Sequence, residues 1–229
     1  MRELQIKSAK RSSRIVTGAG FTVVTLFILS IIMTPTTELL SSGISANLVS
    51  ELYREHRTSI LSGMYVSSLT WGAVFLVFAG ALSSWLSTEN SEVSLYAWIG
   101  FGGALAESAA ILLVCVFTNA ATFAAGSAEP GTVLALHQAA LLANNLSGFP
   151  TVVCVVAYTL AGREVGLFPG WLSVLCIVCV TFHAISSAGL AATELLSPVG
   201  PASLLAPFTM TIWVLGVSII ARRSCRSDI

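Results

Sequence analysis

Charged side chains are scarce in this chain. Its 229 residues include 11 lysines and arginines and 11 acidic residues, or 10% charged, whereas a soluble domain carries about 25%. Hydrophobic residues make up 55%. A chain of this composition cannot cover its own core with polar surface, so an ordinary soluble domain is excluded and a polytopic membrane protein is predicted. The net charge of zero gives no sign of a nucleic-acid partner.

Aspartate is nearly absent, since Asp228 in the C-terminal tail is the only one. The chain therefore lacks the aspartate cluster that holds magnesium and a lipid diphosphate. It also lacks the glycine-rich phosphate loop, the H-E-x-x-H zinc pair and the G-x-S-x-G nucleophile turn. Cys176 and Cys179 form a C-x-x-C inside an apolar segment, which favours buried packing over a zinc or redox site. We predict no cofactor and no metal site.

Long apolar segments are abundant. A membrane span needs about 20 predominantly apolar residues, and six segments qualify. The predicted spans cover residues 15–33, 60–82, 95–118, 137–160, 171–195 and 204–221. The short links between them predict one all-α transmembrane helix bundle over residues 1–229.

Lysines and arginines are distributed unevenly about the predicted spans. If both termini are cytoplasmic, nine of the eleven lie inside: five before the first span, three after the last, and Arg163. Only Arg54 and Arg57 are then outside, which predicts a multi-pass protein of the cell membrane with both termini in the cytoplasm. The alternative is a cleaved signal peptide, because SGISA before Asn47 has small residues at the spacing of a cleavage site. Residues 1–46 would then be removed.

The longest link, residues 34–59, carries a helical pattern of its own. From Ser45 to Ser59 the apolar residues Leu48, Leu52 and Tyr53 recur at helical spacing. We predict a short amphipathic helix at the outer membrane surface, between the first and second spans.

Gly148 and Pro150 interrupt the fourth predicted span. Proline has no backbone donor, so the carbonyl of Leu146, one turn earlier, loses its hydrogen bond. Such an interruption persists in a membrane only where a neighbouring helix or water satisfies the carbonyl. We therefore expect this span, which also carries Asn144 and Asn145, to face the bundle interior or a wet cavity.

A glutamate lies near the middle of the third predicted span, in GFGGALAESAAILLVCVF (residues 100–117). Glu107 is twelve residues from Leu95, at about mid-depth given a rise of about 1.5 Å per residue. A charge there costs about 2.5–3.5 kcal/mol on insertion scales, so Glu107 is expected to be neutral, paired or facing a cavity. The small residues GFGGALA before it suit close helix packing.

Other polar groups lie at positions from which they could meet Glu107. His183 is near mid-depth in the fifth span, and Glu194 follows eleven residues later, about three turns along the same helix face. Intramembrane ionisable residues are functional candidates by default, so we predict Glu107, His183 and Glu194 as catalytic residues around one cavity. The predicted substrate-binding residues are Asn144, Asn145, Glu38, Trp71 and Phe101. The alternative is a purely structural hydrogen bond between Glu107 and His183, worth about 0.6 kcal/mol.

Two stretches carry a resemblance to a known group: YREHRTSILSGMYVSSLTWGAVFLVFAGAL (residues 53–82) and LFPGWLSVL (residues 167–175). The matching positions are Tyr53, His56, Arg57, Phe78, Leu82, Pro169, Trp171 and Leu172. In these the chain resembles small actinobacterial six-helix integral membrane proteins of unknown function, which implies the fold but no activity. In size and plan it is also similar to small integral-membrane terpene cyclases, which use buried carboxylic acids to protonate an isoprenoid olefin or epoxide.

Three functions fit these patterns. The first is an intramembrane acid–base enzyme that cyclises or isomerises an isoprenoid-like substrate, with Glu107 as general acid and His183 or Glu194 taking a proton back. The second is a small proton-coupled transporter, and the third is a non-enzymatic membrane subunit. The predicted partners are the lipid bilayer and an apolar small molecule, without nucleic acid, and the oligomeric state stays open.

Overall fold

The structure of the chain, a computed structural model, describes residues 2–34, 44–87, 91–188 and 200–225, without the side chains of residues 2–8 and 91. Within these ranges the regular secondary structure is helical and includes no strand. Six helices are long and apolar enough to cross a bilayer. The predicted all-α fold with six spans is confirmed, and it fits an integral, multi-pass membrane protein.

The spans extend beyond the apolar segments that predicted them. Their bounds are Ala9–Met33, Arg57–Leu86, Glu92–Ala124, Pro130–Glu164, Gly170–Ala188 and Pro201–Ser224. The first belongs to a longer helix, Arg2–Met33, and the third to the helix Ser91–Ala124. Several of the added turns, such as residues 9–14 and 222–224, contain lysine and arginine, which form helices well but lie outside the apolar segments. The fifth helix is described to Ala188, so the predicted end of that span lies outside the described residues.

The predicted amphipathic helix is present as Ala46–Glu55. It begins at Ser45, whose side-chain oxygen accepts a hydrogen bond from the backbone N–H of Leu48 at 3.4 Å. Its buried face consists of Val49, Leu52 and Tyr53. The expected inclusion of Leu48 in that face is wrong, because its side chain is 46% exposed. Residues 49, 52 and 53 follow the i, i+3, i+4 spacing, which leaves residue 48 at the margin of the face.

This helix packs on protein at one end of the bundle. A small hydrophobic cluster joins its buried face to Ile60 in the second span, Ala121 and Ala125 around the end of the third, and Val133 in the fourth. We call this part of the molecule the capped end. The helix therefore belongs to the bundle, as well as having the amphipathic pattern of a membrane-surface helix.

The third and fourth spans approach each other closely at two glycines. A Cβ atom on Gly103 would lie 2.6 Å from the backbone nitrogen of Cys154, and one on Gly100 would lie 2.8 Å from the ring of Tyr158. Gly102, between them, faces open space. The prediction that the GFGGALA segment serves close packing is confirmed for Gly100 and Gly103. Because of this contact the third span, which includes Glu107, packs closely against the fourth.

Candidate functional site

The fourth span is broken where the sequence predicts an interruption. It consists of the helices Pro130–Leu146 and Gly148–Glu164, joined at Ser147. The break lies one turn before Pro150, at the position where proline removes a hydrogen bond and clashes with the earlier carbonyl. A Cβ atom on Gly148 would lie 2.7 Å from the carbonyl oxygen of His183, so the break packs directly on the fifth span.

The second span is interrupted as well, by the π-helical turn Thr70–Val74 between the α-helices Arg57–Leu69 and Phe75–Leu86. Inside this turn the backbone carbonyl of Trp71 accepts a hydrogen bond from the hydroxyl of Ser108 in the third span, at 2.8 Å. Such π turns occur frequently at functional sites. Here the turn is hydrogen-bonded, through Trp71, to Ser108, which is the residue next to Glu107.

These irregular segments border an interior cavity of about 210 Å³. Glu107 lines it from the third span, His183 from the fifth, Asn144 from the fourth and Trp71 from the second. The first and sixth spans contribute apolar residues, among them Phe27. Four of the predicted site residues therefore surround one space in the bundle.

Glu107 is 3% exposed, and its Oε2 atom is hydrogen-bonded to Oγ1 of Thr151 in the fourth span. The same threonine hydroxyl donates to the backbone carbonyl of Ser147 at 2.9 Å. The break in the fourth span and the carboxyl group of Glu107 are thus joined through one side chain. Thr151 lies seven residues after Asn144, on the other side of the break at Ser147.

His183 is 6% exposed, and its Nε2 atom has no hydrogen-bond partner among the described residues. Ser186, one turn further along the fifth span, also lines the cavity. Its hydroxyl donates to Oδ1 of Asn145 at 3.4 Å and to Oγ of Ser203 at 3.1 Å. His183 therefore presents an imidazole nitrogen in a buried position beside a space that a ligand can fill.

Asn145 has a different environment from Asn144. It is fully buried and does not line the cavity. Its backbone carbonyl accepts a hydrogen bond from the hydroxyl of Ser187 at 2.8 Å. Together with the contact from Ser186, this places Asn145 in the contact between the fourth and fifth spans.

Phe101 lies away from the cavity. Its ring packs edge-on against Trp98 with centroids 6.2 Å apart, and it lies near Gly80 of the second span. Phe101 precedes Glu107 by six residues, which turns it by roughly 120° to a different face of the helix. Glu38 and Glu194, the two remaining predicted site residues, lie outside the described residues.

A second cavity, of about 270 Å³, adjoins the first towards the capped end. The two share a wall that includes Phe27, Met64 and Asn144. The far part of the second cavity is lined by Tyr53 of the amphipathic helix and His137 of the fourth span. We refer to these two adjoining cavities together as the hollow.

Tyr53 and His137 form a buried polar pair. The tyrosine hydroxyl and Nδ1 of His137 are hydrogen-bonded at 3.0 Å, and the two side chains are 1% and 4% exposed. Burial raises the pKa of Tyr53 to about 12, opposed in part by a hydrogen bond with the side chain of Thr118. The sequence pattern assigned Tyr53 only to the apolar face of a helix, and its link to His137, 84 residues away, became visible only in the fold.

Chemically, the cavity at Glu107 combines one carboxyl group, one imidazole whose Nε2 atom has no hydrogen-bond partner among the described residues, and a largely apolar wall. No group of three histidine, cysteine, aspartate or glutamate side chains within the described ranges could hold a metal ion. The class defined by this fold is an integral membrane helix bundle with an ionisable interior site. Comparison of the chain with protein-family models, curated proteins and solved structures gives no match.

Proposed function

We propose that the protein is an integral membrane enzyme that performs acid–base chemistry on an apolar, isoprenoid-like molecule, by isomerisation or cyclisation. The observation that carries this proposal is that Glu107 and His183, from different spans, line the same mostly apolar cavity. A carboxyl group and an imidazole that line one mostly apolar cavity can supply and remove a proton without a cofactor. The likeness in plan to membrane terpene cyclases points to the same chemistry.

The burial of Glu107 supports a protonated carboxyl group. Its side chain is 3% exposed, and its Oε2 atom accepts a hydrogen bond from the hydroxyl of Thr151. A neutral carboxylic acid also avoids the cost of a charge at mid-depth in the bilayer. In this state Glu107 can act as a general acid.

The proposed isomerisation uses both residues. Glu107 donates its proton to one carbon of a substrate double bond, whose π electrons form the new C–H bond and leave a carbocation on the other carbon. Nε2 of His183 removes a proton from a neighbouring carbon, and that C–H electron pair forms the new double bond. Transfer of the proton from the imidazolium back to the Glu107 carboxylate restores the enzyme, so the substrate gains and loses one proton.

The wall of the cavity suits such an intermediate. Trp71 is 5% exposed and forms an edge-on aromatic contact with Phe27, with ring centroids 6.1 Å apart. Both side chains line the cavity. The face of a tryptophan ring attracts a cation by roughly 2 kcal/mol or more in a desolvated site. Trp71 therefore favours a carbocation over the neutral substrate.

Solvent exchange tests the proposal. The purified protein in lipid nanodiscs is incubated in D₂O with farnesol, geranylgeraniol and squalene, and deuterium in the recovered isoprenoids is measured by mass spectrometry. We expect the wild type to incorporate deuterium into at least one of them and Glu107→Gln to lose about 100-fold or more in rate, since a general acid contributes about 10²–10⁴-fold. Glu129→Gln, at an exposed glutamate, is the matched control and retains the wild-type rate. Equal rates for Glu107→Gln and wild type, or no exchange in any probe, contradict the proposal.

A proton-coupled carrier is the second candidate, and a specific observation favours it. The helical interruptions at Thr70–Val74 and Ser147 both adjoin the cavity, and transporters commonly bind their substrates at broken helices. A carrier reconstituted in liposomes moves protons when an apolar substrate gradient is applied, and Glu107→Gln abolishes that flux. An enzyme gives deuterium exchange without net proton flux.

We also propose that both termini are cytoplasmic, so that the capped end faces outward. The support is the distribution of lysine and arginine about the spans. Cys225, directly after the sixth span, is half-buried, whereas the other four cysteines are buried. In this orientation a membrane-impermeant maleimide labels Cys225 only after the cells are permeabilised. Labelling in intact cells contradicts the orientation.

A further inference from the structure

We propose that the Tyr53–His137 pair binds the hydroxyl end of a neutral isoprenoid alcohol whose apolar chain extends through the hollow to Glu107. This inference rests on the proposed function and names its substrate class. It starts from a buried polar pair that the acid–base steps at Glu107 and His183 do not use.

The position of the pair supports a role in binding. Tyr53 and His137 line the same cavity as Asn144, which also lines the cavity at Glu107. An apolar molecule that fills the hollow thus has Glu107 at one end and the tyrosine hydroxyl at the other. The tyrosine hydroxyl is bonded to His137 and to the side chain of Thr118, and its oxygen can accept one further hydrogen bond from a ligand hydroxyl in the cavity.

The chemistry of the pair fits an alcohol. A tyrosine hydroxyl that donates to an imidazole nitrogen still accepts a hydrogen bond at its oxygen. The hydroxyl of a ligand can donate to that oxygen, and the side chain of Thr118 lies beside it as a further hydrogen-bonding group. Such a hydrogen bond discriminates an alcohol from the hydrocarbon of the same shape, because the hydrocarbon cannot form it.

The charge of the lining argues for a neutral head group. Neither lysine nor arginine is found among the described residues that line the two cavities. A phosphate or diphosphate would bring negative charge next to this wall without a lysine or arginine of the lining to pair with it, which is costly. A free hydroxyl brings no charge. The hollow therefore selects an alcohol over its phosphate ester.

The length of the hollow sets the size of the chain. Glu107 and Thr118 lie eleven residues apart in one continuous helix, which separates them by roughly 16 Å along its axis. Thr118 lies at the tyrosine end of the hollow and Glu107 at the other. The reactive double bond of the substrate is accordingly remote from its hydroxyl group, and an extended farnesyl chain is of this order of length.

Binding measurements with three probes test the inference separately from catalysis. Farnesol, farnesene and farnesyl phosphate are titrated against the full chain in nanodiscs, with tryptophan fluorescence as the readout because Trp71 lines the cavity. We expect the wild type to bind farnesol roughly two- to tenfold more tightly than farnesene, the range that one net hydrogen bond provides. Farnesyl phosphate is expected to bind more weakly than farnesol.

Three variants test which side chain causes the preference for farnesol over farnesene. Tyr53→Phe keeps the ring and removes the hydroxyl, so the ratio of farnesol to farnesene affinity should fall to about one. Tyr65→Phe is the matched control, because Tyr65 is 71% exposed and does not line the hollow, and it keeps the wild-type ratio. Glu107→Gln also keeps the ratio, although it slows deuterium exchange by about 100-fold or more.

The possible outcomes distinguish the head-group assignment from the acid–base function. If a folded Tyr53→Phe protein keeps the wild-type preference for farnesol, or if farnesyl phosphate binds more tightly than farnesol, the head-group assignment is overturned while the acid–base function stands. If the wild type binds farnesol and farnesene equally, the assignment also fails. If none of the three probes binds, both the isoprenoid substrate class and the head-group site are rejected. A purely structural pair would lower the unfolding temperature of Tyr53→Phe and leave the ratio unchanged.

Discussion

Thr151 joins the carboxyl group of Glu107 to the broken fourth span. Its hydroxyl contacts Oε2 of Glu107 and the carbonyl of Ser147, so one side chain satisfies groups on two spans. Both side chains are almost completely buried, and water has little access to replace the bond. The orientation of Glu107 in the cavity therefore depends on this residue.

Removing the hydroxyl tests that dependence. Thr151→Val keeps the shape of the side chain and leaves a buried carboxyl oxygen without its partner, which should lower the free energy of unfolding by about 1–3 kcal/mol. Thr151→Ser restores most of the loss. Denaturant unfolding in detergent measures the difference. The control is Thr22→Val at an exposed threonine bonded only within its own helix, at Gly18, and it should change stability little. A loss for Thr22→Val as large as that for Thr151→Val would show that the effect is not specific to the Glu107 contact.

For single residues, the sequence predicts the position along a span better than the direction in which the side chain points. Glu107 and His183 could be placed near mid-depth because the helical rise converts residue number into height. Phe101 was expected at the site, but its direction depends on helix rotation, which the apolar pattern does not define in a span that is hydrophobic all round. Thr151 was missed because a threonine in an apolar helix costs little, and only the fold brings it to Glu107.

At the scale of elements, the glycine contact between the third and fourth spans sets their separation. The backbone of Cys154 lies where a side chain on Gly103 would be, and backbone atoms cannot move aside as a flexible side chain can. In membranes, where lipid tails are as apolar as the helices, such close contact is a main source of helix association. The distance between Glu107 and Thr151 follows from it.

Gly102, next to Gly103, offers a matched comparison for the effect of an added methyl group on stability. Gly103→Ala forces the helices apart and should lower the free energy of unfolding by about 1–3 kcal/mol, the typical cost of overpacking. Gly102→Ala adds the same methyl group in open space and should be neutral, or stabilising by up to about 1 kcal/mol through helix propensity. Thermal unfolding of the two variants side by side measures this. Equal stability of both would mean that the close approach at Gly103 does not contribute.

The two helical interruptions differ in how well they can be predicted from the sequence. The break before Pro150 follows from the missing donor of proline, so it could be predicted to within a turn. The π turn Thr70–Val74 has the sequence TWGAV, which has no proline and no distinctive pattern. It is stabilised by a contact from another span, the bond of Ser108 to Trp71, and such tertiary contacts are not encoded by local propensity.

At the scale of the whole molecule, six spans surround a hollow that starts at Glu107 and ends beneath the amphipathic helix. Composition and span length were enough to predict the bundle, because the bilayer fixes how long an apolar helix must be. The sequence indicates the hollow only through its polar residues. Glu107, His183 and Asn144 lie in three different spans, so they meet only in the folded bundle. The Tyr53–His137 end was not foreseen, because it depends on the amphipathic helix packing on the bundle.

The most direct measurement is infrared difference spectroscopy of the protein in nanodiscs, with and without farnesol. A protonated Glu107 facing an apolar ligand predicts a carboxylic-acid C=O band that shifts when farnesol is added and that is missing in Glu107→Gln. The band and its shift should be unchanged in Glu129→Gln. A carboxylic-acid band that does not respond to farnesol, or one that persists in Glu107→Gln, would contradict the presence of a protonated acid at a ligand-filled interior site.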